Sequence, residues 1–252
     1  MNELKDKVAV ITGAASGMGK AIALLFAAEG AKVVLADVSH DGMYAIVTRI
    51  HELGYPVIGV HADMSSPADV QKVMNKAISE FGGVDIVVNN AGVMDDFIPV
   101  AEVSDELWER VLRINLYGPM YLCRLAVPLM LQRGGGCIIN ISSVGGLHGA
   151  RAGAAYTSSK HALIGLTKNI AYHYGDKNIR CNTIAPGAVN TNIGASMHPN
   201  KLGFDKINLG LTTNIRAGEP EEIAQVALFL AGQRSSLLNG AVIVADAGWT
   251  AY

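Results

Sequence analysis

The chain has 252 residues, of which 50% are hydrophobic and 17% are charged, and its formal net charge at pH 7 is -2. This length suits one large α/β domain or two small ones, and the composition is that of a globular protein and not of a disordered one. A nearly neutral chain without a run of Lys or Arg lacks the charge pattern of a protein that binds nucleic acid or a membrane surface, so we expect neither partner.

The N-terminal stretch "MNELKDKVAVITG" passes from charged residues straight into a strand-like segment, without the pattern of a signal peptide. No stretch approaches 18 consecutive apolar residues, so we expect a soluble, cytoplasmic protein. Cys123, Cys137 and Cys181 are scattered, with no C-x-x-C spacing. This pattern predicts reduced core thiols and neither a disulfide framework nor a metal site.

Short runs rich in β-branched residues alternate with longer helical patterns along the chain. The predicted strands cover residues 7–12, 31–37, 56–63, 84–90, 137–142, 179–185 and 241–246. The predicted helices cover residues 17–29, 41–53, 67–81, 104–133, 155–174 and 219–231. Ser66 and Ser104 stand where N-caps of two of these helices are expected.

The strand runs are apolar almost throughout, which indicates a sheet that is covered on both faces. Strict alternation of strand and helix predicts an α/β fold, a single Rossmann-like, doubly wound, seven-stranded parallel sheet with helices on both faces. No linker or internal repeat divides residues 1–252, so we expect one domain. Residues 190–215 show no clear pattern, and a stretch of that length in such a domain is typical of a substrate lid.

A glycine-rich loop, "TGAASGMG", follows the first predicted strand and opens the first helix with Gly13, Gly17 and Gly19. Glycines there allow a tight turn and close approach of the backbone, and the start of the helix offers free N–H groups to a pyrophosphate. The spacing is G-x-x-x-G-x-G and not the common dinucleotide-binding spacing G-x-G-x-x-G. Three glycines can also serve only to form a turn. Its position between strand and helix favours a dinucleotide site.

Asp37 ends the second predicted strand, 24 residues after Gly13. Dinucleotide-binding folds place an acidic residue near this position to bind the ribose hydroxyls. A carboxylate about 4 Å from a 2'-phosphate costs roughly 4 kcal/mol per charge pair at an effective dielectric constant near 20, before screening. The residue therefore favours NAD over NADP, and the alternative is that Asp37 only caps the next helix.

Tyr156 and Lys160 lie one helical turn apart, on the same face of a predicted helix. A nearby cation favours the phenolate form of a tyrosine, so the pair could act as an acid and base. The alternative is an amphipathic pair on a solvated helix face.

The order and spacing of several motifs resemble the short-chain dehydrogenase/reductase family over nearly the whole chain. The 13 residues from Ser143 to Tyr156 are part of this pattern. The motifs are "TGAASGMG", "HAD" with Asp63, "NNAG" at 89–92, "RINL" with Asn115, "NISSVGG" with Ser143, "YTSSK" and "APGAVNT" at 185–191.

This resemblance implies the roles of the catalytic residues. Tyr156 is the general acid when a ketone is reduced and, as phenolate, the base when an alcohol is oxidised. Lys160 lowers the pKa of Tyr156 and holds the nicotinamide ribose, while Ser143 binds the substrate oxygen. Asn115 supports a water that links Lys160 to solvent.

The resemblance also implies a set of residues that bind NAD. Asp63 and Met64 flank the adenine, and the "NNAG" turn runs beneath the adenosine ribose and the pyrophosphate. The segment 186–191 contacts the nicotinamide and the diphosphate. The full set is Gly13, Ser16, Gly17, Met18, Gly19, Asp37, Val38, Asp63, Met64, Asn90, Ala91, Gly92, Tyr156, Lys160, Pro186, Gly187, Val189 and Thr191.

The side chains expected around the substrate are mostly apolar, which suits a small or medium ketone or secondary alcohol. His148 can contact substrate or lie on a surface loop. Val189, already in the cofactor set, is expected at this pocket too. The other members are Met94, Val144, Leu147 and His148, with Ile193, Met197 and Phe204 from the lid.

The leading hypothesis is an NAD-dependent alcohol dehydrogenase or ketone reductase that forms a homotetramer, as relatives commonly do. The alternatives are a 3-oxoacyl-carrier-protein reductase and a non-catalytic NAD-sensing protein. Trp249 and Tyr252 are expected at a subunit interface or at a neighbouring subunit's pocket. Ala247 stands where many relatives have glycine, so the sequence does not predict the conformation of this turn.

Overall fold

The computed structural model describes residues 2–195 and 197–251, and within these ranges it has seven β-strands. They are β1 (Val8–Thr12), β2 (Lys32–Asp37), β3 (Val57–His61), β4 (Ile86–Asn89), β5 (Gly136–Ile141), β6 (Ile179–Pro186) and β7 (Val242–Ala245). All pair in parallel, in the order β3-β2-β1-β4-β5-β6-β7. The predicted doubly wound, seven-stranded parallel sheet is confirmed.

Helices cover both faces of the sheet, and one further helix lies in the segment between β6 and the last helix. The α-helices are α1 (Gly17–Ala28), α2 (His40–Glu52), α3 (Pro67–Phe81), α4 (Asp105–Leu112), α5 (Gly118–Gln132), α6 (Ala154–Tyr174), the further helix α7 (Lys201–Leu211) and α8 (Pro220–Ala231). Apolar side chains of α1, α2 and α8 fill the core on one face, and those of α3, α5 and α6 fill the core on the other.

The first strand shows why its sequence is apolar throughout. Val8 and Val10 point into one core, whereas Ala9 and Ile11 point into the other. All five residues of β1 are buried. A strand with two buried faces needs no polar positions, because helices exclude water on both sides.

The prediction of one regular helix over residues 104–133 is wrong. A π-helical turn, Arg113–Tyr117, separates α4 from α5. Such turns place one extra residue in a helical turn and occur often at functional sites. The predicted N-cap at the start of α4 is present, since Ser104 Oγ accepts a hydrogen bond of 3.2 Å from the N–H of Leu107.

Residues 190–215, predicted as a lid without regular structure, contain helix α7. The two ends of this segment lie side by side, because the backbones of Val189 and Gly218 form a β-bridge. The N–H of Asn190 donates to the carbonyl of Gly218 at 2.9 Å, and the N–H of Gly218 donates to the carbonyl of Ala188 at 2.8 Å. These backbone hydrogen bonds therefore join the two ends of the segment that was predicted as a lid.

The segment Asp105–Gln132 is long and apolar enough to cross a membrane by length and composition alone. Its residues Leu122, Ala126 and Met130 are fully buried in the core on one face of the sheet. This is the placement of a core helix, and core helices pass the same test of composition.

All three cysteines are free and buried, as predicted for core thiols. Among the described residues, no group of three His, Cys, Asp or Glu side chains is placed to hold a metal ion.

The C-terminal segment packs against residues 190–215 of its own chain. Trp249 is 5% exposed, and its Nε1 atom donates to the carbonyl of Gly210 at 2.8 Å. Its expected place at a subunit interface or a neighbouring subunit's pocket stays a prediction, and Tyr252 lies outside the described residues. Ala247 adopts a φ of 54°, a left-handed conformation that glycine adopts more readily.

Candidate active site

A cavity of about 430 Å³ opens at the carboxyl ends of β1, β2 and β4. Strands β1 and β4 are neighbours in the sheet but not in the chain, so the cavity lies where the winding changes direction. Ligands of open parallel α/β sheets bind at this point. The lining includes twelve residues predicted to bind a dinucleotide: Gly13, Ser16, Gly17, Met18, Asp37, Val38, Asp63, Met64, Asn90, Ala91, Gly92 and Thr191.

The glycine-rich loop is packed too closely for side chains. Gly13 has a φ of 64°, and a Cβ atom on it would lie 2.8 Å from Nδ2 of Asn90. A Cβ on Gly19 would collide with the carbonyl oxygen of Gly13, and one on Gly17 would lie 3.0 Å from the methyl group of Thr191. These glycines keep the loop against the sheet and leave the cavity above it open.

Helix α1 begins at this cavity without a side-chain cap. Ser39, Ser66, Ser104 and Asn200 each accept a backbone hydrogen bond at the start of α2, α3, α4 and α7. Ser16, at the N-cap of α1, makes no such bond. The free N–H groups and the positive end of the helix dipole therefore remain available to an anion in the cavity.

Asp37 lines the cavity beside the glycine-rich loop. Its Oδ2 atom accepts from the N–H of Ala15 at 2.9 Å, and its Oδ1 atom accepts from the N–H of Ser39 at 2.8 Å. Ser39 and not Asp37 is the N-cap of α2, so the alternative role of Asp37 as that cap is wrong. Val38 beside it is 68% exposed and lines the cavity.

Asn90 connects the loop to the sheet and leaves one polar atom free. Its Nδ2 atom donates to the carbonyls of Thr12 at 2.9 Å and Gly13 at 3.0 Å. Its Oδ1 atom is buried and has no partner among the described residues. A buried acceptor without a donor is costly, so the wall of the cavity still has an unmet hydrogen bond.

Tyr156 and Lys160 share one face of α6 and are 7% and 3% exposed, respectively. The Nζ atom of Lys160 lies 5.5 Å from the centroid of the Tyr156 ring and donates to the carbonyl of Ile141 at 2.8 Å. The alternative of an amphipathic pair on a solvated face is therefore wrong. Gly92 keeps the approach to the ammonium open, since a Cβ there would lie 3.4 Å from Nζ.

Burial sets the pKa of both groups. It raises the pKa of Tyr156 to about 12; a hydrogen bond with Ser143 lowers this pKa and the carboxylate of Asp95 raises it. Burial also lowers the pKa of Lys160 to about 8. Lys160 is not among the groups that shift the pKa of Tyr156 in the chain alone, and its Nζ atom donates to the Ile141 carbonyl, so the expected effect of Lys160 on that pKa stays a prediction.

Ser143 and Asn115 lie on either side of this pair. The Oγ atom of Ser143 accepts from the N–H of Gly145 at 2.9 Å. Asn115, fully buried in the π-helical turn, accepts from the N–H of Val93 at 2.9 Å and donates to the carbonyl of Val93 at 3.0 Å. The extra residue of the π-helical turn aims this amide at the loop that follows β4.

The predicted substrate residues do not form one closed pocket. Val144 is buried and Met94 packs against the apolar cluster around Tyr156. Ile193 lines the cavity, and the ring of Phe204 stacks on Phe97 with centroids 6.0 Å apart. Three further predicted residues lie near the loops: Leu147 and His148 are exposed, and Met197 lies beside Gly194.

Some predicted cofactor residues lie outside the cavity lining. Pro186 ends β6, and the N–H of Gly187 donates to the carbonyl of Ala245 at 3.0 Å. Val189 belongs to the base of the lid. Gly19 packs beneath the loop. These residues form the rim and the floor of the site.

The cavity also has lining residues that the sequence did not reveal. Arg110 and Ile114 are four positions apart, so both lie on one side of the helical segment that carries Asn115. They stand five positions and one position before Asn115, and neither separation is an α-helical repeat, so the motif around Asn115 did not indicate them. The lining residues that were not predicted are Ala62, Val93, Arg110, Ile114 and Asn192.

Comparisons with known proteins cover almost the whole chain. The sequence profile of the family described as enoyl-(acyl carrier protein) reductase matches residues 13–250. A 3beta-hydroxysteroid dehydrogenase 2 from Eggerthella lenta is 44% identical, over 99% of this chain and 96% of that protein. A cyclohexanol dehydrogenase from an Acinetobacter species is 36% identical, over 99% and 97%.

A 3-oxoacyl-acyl-carrier-protein reductase from Thermotoga maritima is 38% identical, over 97% of this chain and 98% of that protein. Among solved structures, levodione reductase superposes with a TM-score of 0.91 at 34% identity, over 99% of this chain and 100% of that chain. A candidate NAD(P)-dependent gluconate 5-dehydrogenase from Beutenbergia cavernae, with NADP bound at low occupancy, superposes with a TM-score of 0.89 at 34% identity, over 99% of each chain.

Proposed function

Because the chain belongs to the short-chain dehydrogenase/reductase family, whose members are nicotinamide-dependent oxidoreductases of alcohols and ketones, we propose that it transfers a hydride between NAD(H) and a secondary alcohol or ketone on an apolar ring. Tyr156 is the general acid and base of this reaction. The observation that carries the proposal is the buried pair of Tyr156 and Lys160, with Ser143 beside it, next to a cavity with an uncapped helix start and Asp37.

The residues of the cavity fit a dinucleotide. The free N–H groups at the start of α1 suit a pyrophosphate, and the glycine loop leaves the space that it needs. The carboxylate of Asp37 suits ribose hydroxyls, which donate hydrogen bonds.

The same carboxylate supports NAD as the preferred form of the cofactor. A 2'-phosphate near Asp37 would meet a negative charge, at a cost of roughly 4 kcal/mol at about 4 Å before screening. Arg110 is the basic side chain among the lining residues; it comes from α4, whereas Asp37 ends β2. An Arg110 side chain that received the phosphate would offset this cost, and the variant Arg110→Gln separates the two cases.

The nicotinamide ring, when bound, accepts or donates the hydride and carries a positive charge in its oxidised form. The chain then supplies the proton at the phenol oxygen of Tyr156. A pKa raised to about 12 keeps this phenol protonated at neutral pH, which suits donation to a ketone oxygen. Ser143 holds the substrate oxygen next to the phenol of Tyr156. The ammonium of Lys160 lies 5.5 Å from the centroid of the tyrosine ring.

The apolar surroundings of Tyr156 support a ring-shaped, uncharged substrate. Met94, Trp108 and Val93 pack around the tyrosine, and Ile193 and Phe204 come from the lid. Two of the similar proteins act, by their names, on a 3beta-hydroxysteroid and on cyclohexanol, and both substrates carry a secondary alcohol on a ring. A charged substrate would lose its hydration among these side chains.

The experiment is a substrate panel read with both NADH and NADPH. Cyclohexanone and a 3-ketosteroid are compared with 2-oxo acids by the loss of nicotinamide absorbance. We expect turnover of the cyclic ketones with NADH and little turnover of the acids. Turnover confined to the acids, or to NADPH, would contradict the proposal.

A second candidate function is reduction of a 3-oxoacyl-carrier protein, since such a reductase is 38% identical to this chain. An acidic carrier protein needs a basic docking surface, whereas this chain has 20 Lys and Arg against 22 Asp and Glu. Asp37 also disfavours NADPH. A 3-oxoacyl thioester of acyl carrier protein belongs in the same panel, and its fast reduction with NADPH would favour this candidate.

We also propose that the protein is a cytoplasmic homotetramer. Tyr172 on α6 is 87% exposed and Leu131 on α5 is 40% exposed, so both long helices offer apolar side chains to a partner copy. Sedimentation equilibrium of the purified chain measures the mass of the assembly, and a monomer would contradict this part of the proposal.

A further inference from the structure

Asp95 is a fully buried carboxylate in the loop between β4 and α4. Its Oδ2 atom accepts from the N–H of Tyr156 at 2.8 Å. Its Oδ1 atom accepts from the N–H of Gly153 at 3.0 Å and from the N–H of Phe97 at 3.2 Å. The first two donors belong to the N-cap and the first turn of α6, which has no side-chain cap of its own because Gly153 stands at the N-cap position.

Asp95 therefore caps the helix that carries Tyr156, from a position 58 residues before its N-cap. A carboxylate at the start of a helix also interacts favourably with the helix dipole. Because the Tyr156 N–H is one of the capped groups, the carboxylate is fixed to the backbone of the proton-transfer residue itself. A cap of this kind sets the height and rotation of the first turn of α6.

The turn that carries Asp95 is strained, and two elements hold it. Asp96 and Phe97 have φ values of 54° and 59°, in the left-handed region that bulky residues avoid. The N–H of Ala154 donates to the carbonyl of Ile98 at 2.9 Å on the α6 side, and the N–H of Asn200 donates to the carbonyl of Asp96 at 2.8 Å on the lid side. Strain that the surroundings maintain is found most often at functional sites.

The groups that face Tyr156 come from several elements. Asp95 faces it from the strained turn, Ser143 from the end of β5 and Lys160 from α6 itself. The side chains that pack there from α4 are Leu107, Trp108 and Val111, which are not ionisable. Asp95 is thus the acidic group at this site among the described residues.

We propose that Asp95 is a positioning residue for Tyr156, which caps helix α6 through the backbone of that tyrosine and places a negative charge behind its phenol. The proposal rests on the proposed function, because it takes Tyr156 as the proton-transfer group. It goes beyond that function by assigning to a residue outside the catalytic set both the location of the phenol and part of the pH dependence of the reaction.

The test uses Asp95→Asn, with Asp105→Asn as a matched control on the exposed first turn of α4. Asparagine keeps one acceptor oxygen but turns an amide N–H2 toward a backbone donor, so α6 loses part of its cap. The first readout is amide hydrogen exchange of Gly153 and Tyr156, which needs no substrate. We expect faster exchange at both amides in Asp95→Asn and wild-type exchange in the control.

The second readout is the pH profile of alcohol oxidation at saturating NAD⁺. The positive charge of the oxidised nicotinamide lowers the pKa of Tyr156 from its value of about 12 in the chain alone, which brings the acid limb into the measurable range. The carboxylate of Asp95 raises the pKa of Tyr156, so its removal should move the acid limb of kcat/KM to lower pH by about half a unit or more. We also expect a roughly tenfold loss of kcat, because the phenol loses its fixed position. A cap with a purely structural role would lower activity at every pH alike and leave the limb in place.

The outcomes separate this proposal from the proposed function. A wild-type chain that turns over no ketone or alcohol contradicts the function, while the exchange data still test the cap. Amide exchange in Asp95→Asn that equals the wild type would overturn the positioning role. Faster amide exchange without a shift of the acid limb of kcat/KM would overturn it too. If Asp95→Asn does not fold, Asp95→Glu is measured instead, because it keeps the negative charge and displaces the carboxylate oxygens. We expect a lower kcat in Asp95→Glu, with the acid limb of its kcat/KM profile near the wild-type position. A wild-type kcat in this variant would overturn the proposal.

Discussion

The Nζ atom of Lys160 lies 5.5 Å from the centroid of the Tyr156 ring, and both side chains are buried. Burial works against the charged form of each, because it raises the pKa of the phenol and lowers that of the ammonium. An ammonium taken out of water in this way costs folding free energy, and ionisable groups with pKa values shifted by burial cluster at functional sites. The geometry predicted from the i, i+4 spacing is present, but the protein chain favours the neutral form of both groups.

Tyr156→Phe tests the assignment of the general acid. The change removes the hydroxyl and keeps the ring that packs against Leu107, Trp108 and Val111, so the fold should persist. We expect kcat to fall by about 10²–10⁴-fold, the usual contribution of a positioned acid or base. Binding of NADH, followed by its fluorescence, should stay close to that of the wild type.

The matched control is Tyr172→Phe, since Tyr172 lies on the same helix and is 87% exposed. It should keep wild-type turnover. Substantial activity in Tyr156→Phe would remove the tyrosine from the reaction and leave the cofactor site as the remaining assignment.

The buried lysine predicts an unusual dependence of stability on pH. The pKa of Lys160 is about 8 in the folded chain and near 10.5 in the unfolded one. Between these values the unfolded chain binds more protons at this lysine, so its contribution to the free energy of unfolding rises with pH, by up to roughly 3 kcal/mol for this shift. Below pH 8 the cost of burying the charge is present in full. Tyr156 acts in the opposite sense above pH 10, because its raised pKa makes the folded chain bind more protons there.

The buried cysteines act in the same window from pH 8 to 10. The folded chain keeps the protons of Cys123, Cys137 and Cys181 where the unfolded chain loses them, because burial raises the pKa of each thiol, so these groups lower the free energy of unfolding as the pH rises. The contribution of Lys160 is therefore read as a difference between variants.

In urea unfolding followed by circular dichroism, we expect the free energy of unfolding to fall more steeply with pH in Lys160→Met than in the wild type. Lys168→Met, at an exposed position on the same helix, should keep the wild-type slope. Because Lys160→Met also loses the hydrogen bond to Ile141, the slopes and not the absolute stabilities are compared. Equal slopes in the wild type and in Lys160→Met would contradict the lowered pKa of Lys160.

Much of the fold could be predicted because its signals are local. A parallel strand such as β2 is apolar along its whole length, and the predicted range 31–37 agrees with Lys32–Asp37 within one residue. The glycine loop and Asp37 were predictable for the same reason, since a βα turn and the end of the next strand have fixed places in this topology.

The features that escaped prediction depend on contacts between distant segments. Helix α7 contains Gly203 and Gly210, which are poor helix formers, and it is held by the stack of Phe204 on Phe97. Asp95 caps a helix that begins 58 residues later. The π-helical turn around Asn115 follows from its bonds to Val93 and not from a local pattern.

Cofactor preference is tested by Asp37→Asn combined with Val38→Arg. Asparagine keeps an oxygen that can accept from the N–H of Ala15 but removes the negative charge. Arginine at the exposed position 38 adds a cation at the rim of the cavity. We expect the ratio of kcat/KM for NADPH to that for NADH to rise at least tenfold, since the repulsion is replaced by an ion pair.

Arg110→Gln is the companion variant for this measurement. If Asp37 sets the preference, Arg110→Gln should leave the ratio of the wild type unchanged. A wild-type chain that already prefers NADPH, and loses that preference in Arg110→Gln, would show that Arg110 receives the phosphate and would contradict the role given to Asp37.

Gly203→Ala tests the contact between the lid and the strained turn. A Cβ atom at this position would collide with the carbonyl oxygen of Phe97, whereas alanine inside a helix is otherwise favoured over glycine by about 1 kcal/mol. Overpacking of a tight contact costs about 1–3 kcal/mol, so the collision should outweigh the gain in helix propensity. We expect a lower melting temperature and a KM for cyclic ketones raised several-fold, with a smaller change in kcat. Gly149→Ala in the loop after Ser143 is the control, because a Cβ there meets no atom within 4 Å. A higher melting temperature in Gly203→Ala would mean that α7 moves away from Phe97 at no cost, and the lid would then owe its position to Trp249 and Gly210 instead.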